Sequence, residues 1–447
     1  MPDYSRRINP LKKYLPLILI ESYLGLTLLI LFFGPIKFRL HNFSFFLIYI
    51  FLYHFSFVVG YLLGLRQKNI NRRISRFTFS SRYFAFLFIF GLVTIVGSLS
   101  NLVIGIDFSP SGFYQALVDG FLEPGLVYTE RMANLDSSLT AVSGNRFFNS
   151  LSVLFAFSQF LFIYYSIYFW TDLGRKRQLL FVLFSLLFCS LSVLSGTNSP
   201  VFYYFIFVAT SLISILYIRR DPRLFRVLLA LSTIFLVPIL IFGSIMSQRG
   251  GAFDYFQLTS PLGDIASPSS HLLGSLDDTS VVYLFFYSLV WLNYYLVQGY
   301  YGFSLILNLD HYWTFGFGNS AFLQRQSAVL FGFDPSSITF QARISHLWDQ
   351  SAQWHSFYGQ FANDFGFEGL VFFMFLLGFA VSRIWMSAVS HNSFYASALV
   401  PIYAIMFIFF PANNQIFGVI GFLSYFIVVS LLWLFETGKI RWGPVNS

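Results

Sequence analysis

Ten stretches of this chain run for close to the length of a membrane crossing with almost no charge: 14–34, 43–65, 83–104, 148–170, 179–196, 200–218, 227–247, 358–382, 394–411 and 417–435. A helix needs about 20 mostly apolar residues to cross a bilayer, and in lipid it satisfies its own backbone hydrogen bonds. The pattern therefore predicts an all-α polytopic membrane protein with about ten transmembrane helices. Only 10% of the residues are charged, against about 25% in a soluble domain, so a large water-soluble core is excluded. Turn residues divide the longest apolar runs: Ser195-Gly196-Thr197-Asn198-Ser199-Pro200 in 179–218, and Pro411-Ala412-Asn413-Asn414 in the last pair. Arg6, Arg7, Lys12 and Lys13 precede the first stretch as in a signal peptide. That stretch runs on to about Phe33, too long for a signal core, and is read as a retained helix.

The basic residues orient this layout. With ten crossings both ends lie on one side, and 20 of the 27 Lys and Arg fall on that side. The positive-inside rule makes it the cytoplasm and makes the loops 105–147 and 248–357 periplasmic. The net charge of +8 sits in short loops and forms no continuous basic domain, which excludes nucleic acid as a partner. One segment strains the count. Val281 to Leu309 is uncharged and long enough to cross, but a crossing there would place Lys439 and Arg441 outside. The expectation is a membrane-embedded helix pair that enters and leaves by the outer face, bent at Gln298-Gly299, in preference to an eleventh span. Without repeats or linkers, 1–447 reads as a single membrane domain.

No phosphate-binding loop, dinucleotide fingerprint or zinc-protease motif occurs. The one cysteine, Cys189, lies in an apolar run, and no Cys/His cluster is present, so neither metal nor cofactor is expected. Fourteen of the 19 acidic residues are external and few cations are, so each external arginine is informative. Arg146, Arg249, Arg325 and Arg343 are candidates for holding a pyrophosphate, whose oxygens match the guanidinium fork. Asp278, in the pair Asp277-Asp278, is a candidate sugar or ion ligand or a helix N-cap. His355 stands at the start of the 358–382 helix, at its outer end, where an imidazole can move a proton near neutral pH. Asp364 and Glu368 are four apart and are expected to share a helix face, as a base or a sugar clamp. Trp313 and Trp354 belong to an aromatic crowd (with Trp291, Tyr294, Tyr295, Tyr300, Tyr301, Tyr312 and Trp348) that offers stacking faces to sugar rings.

These segments also carry a family resemblance. The run Tyr295-Leu296-Val297-Gln298-Gly299-Tyr300-Tyr301-Gly302-Phe303-Ser304-Leu305, then Trp313-Thr314-Phe315-Gly316-Phe317-Gly318-Asn319-Ser320, Trp354-His355-Ser356 and Ala362-Asn363-Asp364-Phe365-Gly366-Phe367-Glu368-Gly369, resembles the Wzy-type oligosaccharide repeat-unit (O-antigen) polymerases. The close match covers about 290–370. The resemblance implies a GT-C-like glycosyltransferase of the bacterial inner membrane. It would join undecaprenyl-pyrophosphate-linked oligosaccharide units, as donor and acceptor, at the periplasmic face without nucleotide sugar or metal. It also implies a chain-length-regulating co-polymerase as a partner. In such a reaction His355 is expected to take the proton of the attacking hydroxyl, with activity falling as the pH drops through its titration. Asp364 is the rival base. The other readings are an O-antigen ligase delivering the same glycan to lipid A–core, and a flippase for lipid-linked units.

Overall fold

The computed structural model describes residues 10–67, 77–102, 109–127, 146–197, 199–236, 239–243, 266–268, 281–350 and 353–438. Arg249 and Asp278 lie outside the described residues. The described residues are mostly helical. In order come α1 (Pro10–Phe33), α2 (Phe43–Arg66), α3 (Ser81–Leu102), α4 (Pro110–Leu122), α5 (Arg146–Leu154), α6 (Phe157–Tyr168), α7 (Gly174–Leu194), α8 (Ser199–Arg219) and α9 (Leu224–Ile234). There follow α10 (Val281–Ile306), α11 (Ala321–Phe331), α12 (Phe340–Arg343), α13 (Phe357–His391), α14 (Phe394–Phe409), α15 (Gln415–Gly418) and α16 (Ile420–Glu436). A two-stranded antiparallel ribbon pairs β1 (Ile36–Phe38) with β2 (Ala266–Pro268). Among the described residues, eight helices are long and apolar enough to cross a membrane, and α14 and α16 are shorter apolar helices. The chain is thus a multi-pass membrane protein by helix length and composition.

The helix ends gather at two faces. At one, Arg383 Nη1 donates to the Gln67 carbonyl at 2.8 Å, Trp385 Nε1 to Lys12 O at 2.7 Å, and Arg219 Nη2 to Tyr168 O at 2.9 Å. Phe77 stacks on Phe394 there at 4.3 Å. The short basic loops follow these helix ends, so this is the basic face. At the second face, Asn308 Nδ2 donates to Asn42 Oδ1 at 2.5 Å and the His41 N–H to Ser304 Oγ at 3.2 Å.

Two features correct the sequence reading. The helix pair expected at 281–309 is one continuous helix, α10, with no bend at Gln298-Gly299. Gly299 serves close approach instead. A Cβ there would lie 2.4 Å from the Pro411 carbonyl oxygen and 2.6 Å from the Ser356 nitrogen. Ser288 of α10 lies beside Gly243 and Ser304 beside His41, and α10 is itself long and apolar enough to cross a membrane. The re-entrant element lies later. α13 is interrupted at Gly366, whose φ of 68° and ψ of 176° are open to glycine and costly for other residues. In a straight helix Phe357 and Phe373 would stand about 24 Å apart, yet their rings lie 6.2 Å apart. The chain therefore folds back at Gly366: Phe357 to Phe365 form a short limb that packs on the long descending limb.

The long limb of α13 is locked to α2 by small residues. A Cβ on Gly60 would meet the Phe375 carbonyl oxygen at 2.0 Å, and one on Gly378 the Phe57 carbonyl oxygen at 2.1 Å. Gly64 faces Ser382 in the same way. Lipid supplies no hydrophobic drive between helices, so this backbone-to-backbone fit carries the association. Gly378→Leu is expected to lower stability by about 1–3 kcal/mol through overpacking, whereas Gly25→Leu, with nothing within 4 Å of the new Cβ, stays near neutral. Unfolding of the two variants in detergent reads the difference; equal midpoints would refute the interlock.

Candidate functional site

The short limb of α13 starts deep. Tyr358 hydrogen-bonds His54 Nε2 at 3.1 Å. His54 is eleven residues into α2, about 16 Å from its end at the second face. Ser356 caps the limb by accepting from the Gly359 N–H at 3.3 Å, and the Phe357 N–H donates to Phe410 O at 2.9 Å. The limb thus begins against the break between α14 and α15. A polar cavity of about 280 Å³ opens at this junction. Its walls are Gly318, Asn319, Ser320, Gln324, Thr339, Gln341, Gln350, Gln353, Trp354, His355, Gln360, Asn413, Asn414, Gln415, Gly418 and Val419. Six glutamines, three asparagines and a histidine line it, and among the described residues no charged side chain does.

One carboxylate builds this wall. Asp364 Oδ1 accepts from Thr314 Oγ1, from the Gly316 N–H at 2.9 Å and from the Gly318 N–H at 3.0 Å. Its Oδ2 accepts from Asn319 Nδ2 at 2.6 Å. Converging those donors requires Phe315 at φ 54°, a left-handed conformation unusual for a bulky residue. The charge-assisted bonds offset that strain. Asp364 is therefore enclosed by the loop 313–320, and its oxygens are turned to the loop.

The same contacts fix the direction of every amide. Asp364 as a carboxylate only accepts, so Asn319 gives it the NH₂ and leaves its own Oδ1 for the cavity. Asn363 Oδ1 accepts from the Phe340 N–H at 2.8 Å, so Asn363 Nδ2 donates to Gln341 Oε1 at 2.7 Å. Gln341 is left with a free NH₂. Asn319 Oδ1, Gln341 Nε2 and His355 Nε2 are all buried without a hydrogen-bond partner. Unmet groups of this kind cost about 1–3 kcal/mol each, and three on one cavity mark a place where a ligand completes the network.

His355 is 4% exposed and packs on α10 so closely that a Cβ at Gly302 would lie 3.0 Å from its Nδ1. Desolvation pushes its imidazole down to about 3. The ring is thus neutral over the whole physiological range. The expected titration near neutrality is corrected accordingly, and so is its placement: His355 sits at the deep end of the short limb, not at an outer helix end.

The remaining expected residues separate. Trp354 lines the cavity and lies 4.7 Å from the Tyr295 ring. Trp313 is exposed, edge-on to His311 at 5.1 Å, and does not line the cavity. Trp291, Tyr294, Tyr300, Tyr301 and Trp348 are buried core rather than a stacking groove. Glu368 is exposed, accepts from Tyr49 OH at 3.0 Å and, beyond the break at Gly366, does not share a helix face with Asp364. Arg343 is held by the Asp310 carbonyl at 2.5 Å and stacks on Tyr312 at 4.6 Å. Arg325 is exposed on α11, next to the cavity residue Gln324. Arg146 opens α5. The structure thus joins His355, Trp354 and, through Asn319, Asp364; Arg325 and Arg343 do not line the cavity.

Sequence reasoning missed two groups. The amides Asn319, Gln341, Gln353, Asn413 and Asn414 passed as turn or loop residues, although polar groups at membrane depth are a signal in themselves. Glu21 and His54 were also missed. His54 Nδ1 and Glu21 Oε2 lie 2.7 Å apart and, through Tyr358, tie α1 and α2 to the base of the short limb. An acid inside the first apolar stretch was their readable sign.

Comparison of the chain with protein-family models, with curated proteins and with solved structures finds no match in any of the three. Among the described residues there is no cluster of His, Cys, Asp and Glu that could hold a metal ion.

Asp364→Asn tests the wall. Its new NH₂ would face Asn319 Nδ2 and force that amide to turn, putting a donor where the cavity has an acceptor. Stability is expected to fall by about 1–3 kcal/mol, read by unfolding in detergent. An unchanged midpoint would show that Asp364 does not hold the loop.

Proposed function

We propose that this protein is a polysaccharide polymerase that joins undecaprenyl-pyrophosphate-linked oligosaccharide repeat units at the periplasmic face of a bacterial inner membrane. In this reading the chain crosses ten times, in a GT-C-like arrangement. The crossings are α1, α2, α3, α5 with α6, α7, α8, the helix 224–243, the long limb of α13, α14 and α16. The basic face is cytoplasmic, in keeping with the positive-inside rule, and α10 with the short limb of α13 forms the embedded outer part. A chain-length-regulating co-polymerase is the implied partner.

The observation that carries the reading is the recessed, uncharged cavity with three buried polar atoms awaiting partners. A sugar hydroxyl both donates and accepts, so a glycan can satisfy all three. Of the segments that resemble the repeat-unit polymerases, Trp313–Ser320 and Trp354–Ser356 contribute Gly318, Asn319, Ser320, Trp354 and His355 to the cavity wall, and Ala362–Gly369 supplies Asp364 behind it. In the reaction the acceptor hydroxyl oxygen bonds to the anomeric carbon of the donor sugar. The bond from that carbon to the pyrophosphate oxygen breaks, and the lipid pyrophosphate leaves with the electron pair. His355 Nε2, neutral and unpartnered, accepts the hydrogen bond of the attacking hydroxyl and orients its oxygen on the anomeric carbon, and the hydroxyl proton passes to the departing pyrophosphate. Asp364 acts as a positioning residue through Asn319. Arg325, exposed next to the cavity residue Gln324, stands ready for the pyrophosphate, whereas Arg343 is turned to the Asp310 carbonyl and the Tyr312 ring. Holding both substrates in register supplies much of the rate.

The surface polysaccharide of a deletion strain tests the reaction class. A single capped repeat is expected. Absence of any repeat would indicate a ligase, and accumulation of unexported lipid-linked units a flippase. With purified protein, His355→Ala is expected to slow chain growth by about 10²-fold, and wild-type activity to stay flat between about pH 5 and 8 for lack of a titrating histidine. A wild-type rate in His355→Ala would remove the histidine from the reaction.

A further inference from the structure

We infer that the cavity selects an uncharged sugar and excludes one that bears a carboxylate, such as a uronic acid. The inference rests on the glycan reading above and narrows it. Two features of the wall carry it. First, the described wall holds no lysine or arginine that could pair with an anion. The nearby guanidinium of Arg343 is committed to the Asp310 carbonyl and the Tyr312 ring. A carboxylate brought in would be desolvated without a partner, which is strongly unfavourable. Second, a carboxylate already stands behind the wall, Asp364, 2.6 Å from Asn319 Nδ2, so an incoming anion also meets like charge.

The recognition atoms are of fixed polarity: Gln341 presents a donor, Asn319 an acceptor, and His355 a ring nitrogen, each on a side chain at least nine-tenths buried. The directions of Gln341 and Asn319 are imposed by the Phe340 N–H, through Asn363, and by the Asp364 carboxylate, and His355 is held by its packing on Gly302. A hydroxyl or an acetamido group complements this set. A carboxylate, which accepts only, leaves Asn319 Oδ1 facing another acceptor. Gln341 is thereby a specificity residue: its Oε1 is fastened to Asn363 and its NH₂ is what the sugar meets.

The test uses the full-length protein in detergent and a series of undecaprenyl-pyrophosphate-linked disaccharides that differ only in the terminal sugar: a hexose, an N-acetylhexosamine, a hexuronic acid, and the carrier lipid with no sugar. The two neutral compounds are expected to bind at least about 10-fold more tightly than the uronic acid, the effect of losing one hydrogen bond to a charged or buried group. Gln341→Glu keeps the shape and the acceptor for Asn363 but replaces the donor with a carboxylate that lowers the unfolding midpoint, and at a temperature below that midpoint it is expected to weaken binding of the neutral compounds at least about 10-fold. Equal binding of the hexuronic acid and the hexose by the wild type would overturn the inference and leave the glycan reading intact. Binding of the sugar-free carrier as tight as that of the neutral glycans would overturn both.

Discussion

The outer half of this molecule depends on the carboxylate of Asp364. Four donors from one loop converge on it: the Thr314 hydroxyl, two glycine N–H groups and the Asn319 amide. A carboxylate at that burial is sustainable only when its lone pairs are met. The bonds that meet them also shape the loop 313–320, hold Phe315 in a left-handed conformation and orient Asn319. The reversal at Gly366 sets Asp364 where this can happen, near the top of a short limb whose base reaches the middle of α2. Fold and site are thus joined by two adjacent features, a glycine that lets the chain turn back and an acid two residues before it.

Beneath that loop the energetics are those of polar groups held away from water. The backbone at the base of the short limb is paired outward, to Gly299, Phe410 and the Ser356 cap. The side chains are paired in strings: Tyr294 to Gln353, Tyr203 to Gln415, Gln360 to Asn413, and Asn414 to the Asn319 carbonyl. Such strings leave some atoms unmet, and three of these, Asn319 Oδ1, Gln341 Nε2 and His355 Nε2, belong to side chains that line one cavity. In the proposed function an uncharged wall suits a sugar, and a low-dielectric recess makes its hydrogen bonds strong. The same recess keeps His355 neutral, so the ring offers a lone pair at any physiological pH.

Much of this was legible in the sequence, and the parts that were not share a cause. The apolar stretches located the long helices because lipid imposes a length and a composition. Nothing in Val281–Leu309 distinguishes a bent pair from a continuous helix; the Gly299 that looked like a bend is a contact point. Gly366 carries no signal of reversal beyond being glycine, and its effect is visible only in Phe357 lying against Phe373. The spacing of Asp364 and Glu368 promised a shared face because spacing presumes an unbroken helix. Of the aromatic crowd, composition could not say which rings were core. The arginines drew attention because charge is conspicuous in such a chain, while the amides that line the cavity are quiet residues. His355 was expected at an outer helix end; its place on the cavity wall and its depth follow from the fold-back alone.

The central claim, that the amide-lined recess is where the glycan sits, is tested most directly by photolabelling. An undecaprenyl-pyrophosphate-linked oligosaccharide carrying a diazirine on its terminal sugar would be irradiated on the intact membrane protein and the labelled peptides mapped. Label is expected on the segments holding Asn319, Gln341, Trp354 to His355 and Asn413 to Gln415, and is expected to fall when unlabelled glycan competes. Label confined to the apolar groove of about 460 Å³ between α1, α8, α13 and α14, or to the exposed ring of Trp313, with the cavity segments unmarked, would contradict it.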